Sequence, residues 1–178
     1  MKKQNDIASI YTLYVDDLFT YGCYLGFSRE VVKDAIHDIF IKITVDRDKL
    51  EEISNIKFYL FRSLKNRLLD IHKSQKEHIG LENIDPSLGI PFNIEVNVEE
   101  LIIEEEEQAE IKTGIEQMLN SLTDRQREII YLRYVQEYDY QQIAELLHIS
   151  VHGCRKLVSK ALFTLREKYG IFFLLLLS

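Results

Sequence analysis

The 178-residue chain carries 29 acidic and 22 basic side chains, a formal net charge of −7, and 46% hydrophobic residues. Two prolines and seven glycines among many Leu, Ile, Lys and Glu favour an all-α fold, in one or two small domains each able to bury a modest core. Paired carboxylates, a nucleophile constellation, a phosphate-cradling glycine loop and close Cys/His spacing are all missing from the sequence, so an enzyme, a metal site, a cofactor and a small-molecule substrate are not expected.

In chain order, the first strong pattern is a helix across residues 55–76. Phe61, Leu64, Leu68 and Ile71 recur at helical spacing as a core face. Arg62, Lys65, Asn66, Lys73 and Lys76 form a second stripe with Tyr59 at its edge. A basic stripe beside an aromatic suits a single nucleic-acid strand, whose bases stack while its phosphates are neutralised. For Phe58 and Phe61 the plain reading is core; for Tyr59 core and stacking platform stand side by side. Cys23, further upstream, and Cys154 lie far apart and read as small buried side chains in a reducing cytosol.

Residues 77–107 differ in composition. They hold both prolines (Pro86 and Pro91), Gly80, Gly89 and the run Glu104–Glu107, which argue for an acidic flexible linker between domains at 1–76 and 108–170. Residues 76–107 carry one basic and ten acidic side chains, against 12 and 11 in residues 1–75 and nine and eight in residues 108–178. The acidity thus belongs to the linker, and each domain can present a basic face. Ile90, Phe92, Ile94, Val96 and Val98 alternate with polar residues or proline, giving an extended segment one apolar side. A solvated tether and a segment that docks are both compatible with this pattern. Residues from Glu99 onward can already belong to the next helix.

Residues 119–168 read as two short amphipathic helices joined by a tight turn, a helix-turn-helix. Asp139 and Gln142 form a capping box at the start of the first, as do Thr123 and Gln126 at an earlier helix. Ile143, Ala144 and Leu147 share one face. His148 stands where the turn wants a residue tolerant of positive φ, and Ser150 is placed to cap the second helix. On that helix Val151, Cys154, Val158, Ala161, Leu162 and Leu165 cluster as the buried stripe. His152, Arg155, Lys156, Ser159 and Lys160 fall on the outer side, where donors reach phosphates and base edges. A merely solvated basic face is the plain alternative. The tail at 171–178 is a run of seven apolar residues and a serine, too short to span a bilayer and suited to packing on its own domain or a partner.

Leu122-Thr123-Asp124-Arg125-Gln126-Arg127-Glu128, Leu132-Arg133-Tyr134, Tyr140, Ile143-Ala144-Glu145, Ile149-Ser150 and Lys160-Ala161-Leu162 resemble the C-terminal domain of bacterial RNA polymerase sigma factors of the sigma-70 family, extracytoplasmic-function (ECF) group. The segment from Asp34 to Ile43 resembles the part of such factors that docks on the polymerase clamp helices. Residues 55–70 resemble their minus-ten helix. The resemblance implies a cytoplasmic transcription initiation factor with core RNA polymerase and promoter DNA as partners, and for many members an anti-sigma factor. It implies polymerase contacts at Asp34, Asp38, Ile41 and Lys42, minus-ten contacts at Tyr59, Arg62, Lys65, Asn66 and Lys73, and a region-4-type (winged-helix-like) domain reading the minus-thirty-five element. The family's acidic linker threads the polymerase active-site channel and RNA exit path.

Two stretches depart from the family pattern. Gly153-Cys154-Arg155-Lys156-Leu157 stands where the family's recognition helix commonly has a small residue and Thr-Val, then a basic residue followed by Ser-Arg or a second basic residue, and Gly153 costs its first turn up to about 1 kcal/mol. Ile36-His37-Asp38 replaces an acidic-Val-Gln-Glu arrangement. The competing reading is a stand-alone helix-turn-helix regulator that binds an operator without polymerase, and a third is an adaptor that binds only protein.

Overall fold

The computed structural model describes residues 6–46, 52–78, 90–97 and 105–176, with the backbone alone at 76–78, 105, 107 and 171–176. Among these residues every regular element is a helix, as the composition implies. The chain divides into two units, Met1–Pro91 and Phe92–Ser178.

In the first unit, α1 (Ile7–Tyr24) and α2 (Arg29–Val45) are capped by the side chains of Asp6 and Ser28, which accept from Ala8 and Val31 N–H. Gly26, at φ 77°, makes the turn between them. α3 (Ile56–His78) starts where Asn55 Oδ1 accepts from Phe58 N–H at 3.0 Å. The three helices pack mutually around Leu18, Tyr21, Val32, Leu60, Phe61, Leu64 and Leu68, with the Tyr21 and Phe61 rings 5.2 Å apart. α1 and α2 approach so closely at Gly22 that a Cβ there would lie 2.6 Å from Val32 Cγ1.

The second unit begins with an extended segment. Phe92 is buried (1% exposed), Ile94 and Val96 are half-buried, and Asn93, Glu95 and Asn97 are exposed, so the alternation read in the sequence sorts inside from outside. The Phe92 ring meets Tyr131 at 5.6 Å. Its N–H donates to Asp124 Oδ1 at 3.0 Å, and its carbonyl accepts from Arg127 Nε at 2.6 Å. Arg127 also pairs with Asp124 and donates to the carbonyls of Leu119 and Leu122, joining four chain positions in one clasp. Part of the segment read as linker is therefore packed on the C-terminal unit.

α4 (Glu105–Asn120) opens on three glutamates, which favour the positive end of its dipole. α5 (Asp124–Ile130) follows the Thr123/Gln126 capping box and runs into a π turn (Tyr131–Val135), then α6 (Tyr140–Leu147) and α7 (Val151–Leu176). Met118 and Leu122 pack on Ala161 and Leu165 of α7, and Tyr169 Oη donates to the Gln117 carbonyl at 2.9 Å. α7 kinks at Gly170 (φ 51°, ψ −124°). The packing expected of the apolar tail concerns side chains outside the described residues.

Candidate nucleic-acid interface

α6 and α7 build a helix-turn-helix from local chemistry. Asp139 accepts from Gln141 and Gln142 N–H at 2.8 Å each, and Gln142 Oε1 accepts from Asp139 N–H at 3.0 Å, closing the capping box. His148 ends α6 in the left-handed region at φ 52°, and Ile149 N–H returns to the Ala144 carbonyl at 3.0 Å. Arg125 Nη2 reaches from α5 to the Leu147 carbonyl at 2.9 Å and satisfies one of the free C-terminal acceptors of α6. Ser150 Oγ accepts from Gly153 N–H at 3.0 Å. The first turn of α7 is thus capped despite its glycine, and a Cβ at 153 would sit 3.2 Å from that same oxygen.

Ile143, Ala144, Leu147, Cys154, Val158, Ala161 and Leu165 are buried as expected, and Leu162 is half-buried. Val151 is a correction: it is 37% exposed, because the cover over α7 begins only at Cys154, one turn later. His152, Arg155, Lys156, Ser159 and Lys160 are all exposed on one side of the helix, with Leu157 half-buried beside them. Burial pushes the Cys154 thiol above its usual range, against the opposing pull of Arg133 and Arg155. Cys23, expected buried, is half-buried.

On α3, Arg62, Asn66 and Lys73 are exposed and Tyr59 is half-buried. Tyr59 lines two surface cavities. One of about 370 Å³ is closed by the C-terminal end of α2 and Ile53, and one of about 250 Å³ lies along Ser63, Asn66 and Arg67. Lys65 is a second correction. It is only 3% exposed, and it follows Phe61 and precedes Leu69 by four residues each, so it lies on the buried face instead of the outer stripe. Phe61, Leu64 and Leu68 are fully buried, whereas Phe58 and Ile71 are half-buried.

On α2, Asp34, Ile41 and Lys42 are exposed. Asp38 turns toward α3, where its Oδ2 accepts from Arg67 Nη2 at 2.9 Å and Nε at 3.2 Å. Nothing in the sequence motif singled out Arg67 as its partner. No group of residues able to hold a metal ion occurs among the described residues, and none of their helices is long and apolar enough to cross a membrane.

The "Sigma-70, region 4" family model matches residues 113–165, which include the whole helix-turn-helix. The chain is 21% identical over 164 residues to ECF RNA polymerase sigma factor SigM of Bacillus subtilis (strain 168), covering 92% of this chain and 95% of that protein. It is 24% identical over 169 residues to SigW of the same organism, covering 93% and 89%. Its fold matches that of the sigma factor RpoE from Bartonella quintana, solved with the anti-sigma factor NepR, at a TM-score of 0.62, 20% identity and coverage of 91% and 95%. With the capped helix-turn-helix in the C-terminal unit, the chain carries a sigma-70 region 4 match there and is similar along both units to RNA polymerase sigma factors of the ECF group.

Proposed function

We propose that this protein is a transcription initiation factor that binds core RNA polymerase and directs it to a promoter. The observation that carries the reading is the row of five exposed polar and basic groups on α7, from His152 to Lys160, held outward by a doubly capped helix-turn-helix. Such a helix fits the major groove, where Arg and Lys donate to guanine edges and phosphates. In this reading α7 takes the minus-thirty-five element. On α3, Arg62, Asn66 and Lys73, with Tyr59 lining the adjoining cavities, take the opened minus-ten strand. Lys65 has no part in that contact.

The polymerase-docking face is proposed on α2, through Asp34, Ile41 and Lys42, with Asp38 oriented by Arg67. The protein acts by binding and not by catalysis, in the cytoplasm beside the polymerase. An anti-sigma partner is included because the Bartonella quintana relative was solved with one. The test is reconstitution of the full chain with core polymerase on promoter DNA. Transcription that depends on the chain supports the reading. Operator binding by the chain alone, with no capture of polymerase, makes it a stand-alone regulator instead.

A further inference from the structure

Tyr140 opens α6, half-buried, one residue after the capping Asp139. Two guanidiniums converge on its ring. The Arg133 carbon lies 5.0 Å from the ring centroid and the Arg155 carbon 5.6 Å. The two cations are therefore within about 11 Å of each other, inside the distance over which charges interact in dilute salt. Arg133 is fixed from behind, since its Nη1 donates to the Tyr138 carbonyl at 2.9 Å. Arg155 is exposed on α7, with its guanidinium over the Tyr140 ring. Among the described residues, no carboxylate forms an ion pair with either arginine.

An exposed arginine on a helix ordinarily samples many rotamers, and ordering it on binding costs entropy. A ring face attracts a guanidinium through its quadrupole, leaving the N–H edge of the planar group free to donate. Two cations gathered on one ring without a carboxylate form a site whose natural complement is an anion. Where the N-terminal end of α6 meets α7 at Arg155, the anion within reach is a DNA backbone phosphate. We propose that Tyr140 is a positioning residue of the DNA-reading surface, its ring holding Arg155 and Arg133 as a paired cationic site for one stretch of promoter phosphate. The proposal rests on the reading that α7 contacts promoter DNA.

The test measures affinity of the reconstituted holoenzyme for duplex promoter DNA across a salt series. Tyr140→Phe keeps the ring and should bind like the unaltered protein. Tyr140→Leu keeps apolar bulk without the ring and should lose affinity by about three- to thirtyfold, the range a cation–π contact supports. Arg155→Lys keeps the charge but not the planar group and, being at an exposed position, leaves the fold intact; it should show a similar loss. Combined with Tyr140→Leu it should add little, because both changes remove one interaction. A purely structural Tyr140 would instead give additive losses, with a lowered melting temperature in Tyr140→Leu. Binding of Arg155→Lys at unaltered affinity overturns the proposal, and it does so even if Tyr140→Leu fails to fold. Should Lys156→Ala and Arg155→Ala together leave promoter affinity unchanged, the DNA-reading assignment of α7 itself fails. If that pair weakens binding while Tyr140→Leu does not, only the positioning role is lost.

Discussion

Phe92→Ala separates a docked segment from a tether. Phe92 is 1% exposed, its ring meets Tyr131, and its backbone is held by Asp124 and Arg127. Alanine keeps both backbone hydrogen bonds, so the perturbation removes only the ring. Core Phe→Ala substitutions cost about 3–5 kcal/mol, and the lower end applies to a segment with solvent on its other face. The unit affected runs from Phe92 to Ser178, and for a domain of this size each 1 kcal/mol shifts the melting temperature by about 4–8 °C. The C-terminal transition of the full chain should therefore fall by roughly 12 °C or more. Amide exchange at residues 93–97 should accelerate at the same time. The measurement is thermal melting of the full chain combined with peptide-resolved hydrogen exchange. Asn93→Ala, one residue along and exposed, serves as the control with no shift. A Phe92→Ala protein that melts within about 3 °C of the unaltered chain, well under the shift for a lost core ring, would show that burial of the Phe92 ring contributes nothing.

Lys156→Ala and Lys160→Ala should each lower the salt slope of promoter binding by about one unit while leaving affinity for core polymerase unchanged, which filter binding and capture assays read separately. Asp38→Arg should abolish capture of core polymerase by a chain that still folds, since its exposed pair with Arg67 contributes at most about 1 kcal/mol; circular dichroism checks the fold, and undiminished capture refutes the assignment. Gly22→Ala forces a methyl against the buried Val32 and should destabilise the N-terminal unit by about 1–3 kcal/mol in urea titration. Cys154 binds its proton more tightly folded than unfolded, so its contribution to stability is fully present below the usual thiol value of 9.0 and fades as pH rises through the higher folded value. Cys154→Ala should lose less urea stability than the unaltered chain between about pH 8 and pH 10, and equal losses would refute this.

The parts of the interface legible in the sequence are those set by neighbours in the chain. Both capping boxes, the left-handed His148 and the Ser150 cap depend on residues two to five apart, and each forms as its residues imply. Lys65 was misplaced for a different reason. A helix that packs on two partners buries a wide arc, and α3 meets both α1 and α2. The row Phe61, Lys65, Leu69 at four-residue spacing carries the signal, but the lysine's polarity obscures it. Long side chains can bury their stems against apolar neighbours, so polarity alone is a weak guide to exposure. Val151 erred in the opposite direction, since periodicity cannot tell where the neighbouring helices stop covering α7. The clasp of Phe92 with Asp124 and Arg127 joins residues 32 to 35 apart, and the arginines on Tyr140 come from two separate elements. Sequence alternation gave Phe92 an apolar side but no partner.

A clasped linker shortens the tether between the two units, so reach decides whether it is compatible with promoter binding. Tyr59 precedes the end of α3 by about 28 Å, at 1.5 Å per helical residue. From His78 to Phe92 the backbone spans at most about 50 Å however it is arranged. A unit the size of the C-terminal one has a radius of gyration near 12 Å, so it extends roughly 30 Å. Together these give a maximum of roughly 110 Å between the proposed minus-ten and minus-thirty-five readers. The two promoter elements, named for positions about 25 base pairs apart, are separated by roughly 85 Å at 3.4 Å per step. Reach alone therefore does not force Phe92 out of its site. Were the clasp the boundary between an idle and an engaged protein, opening it would have to supply length that promoter binding needs, and the clasped chain already has that length.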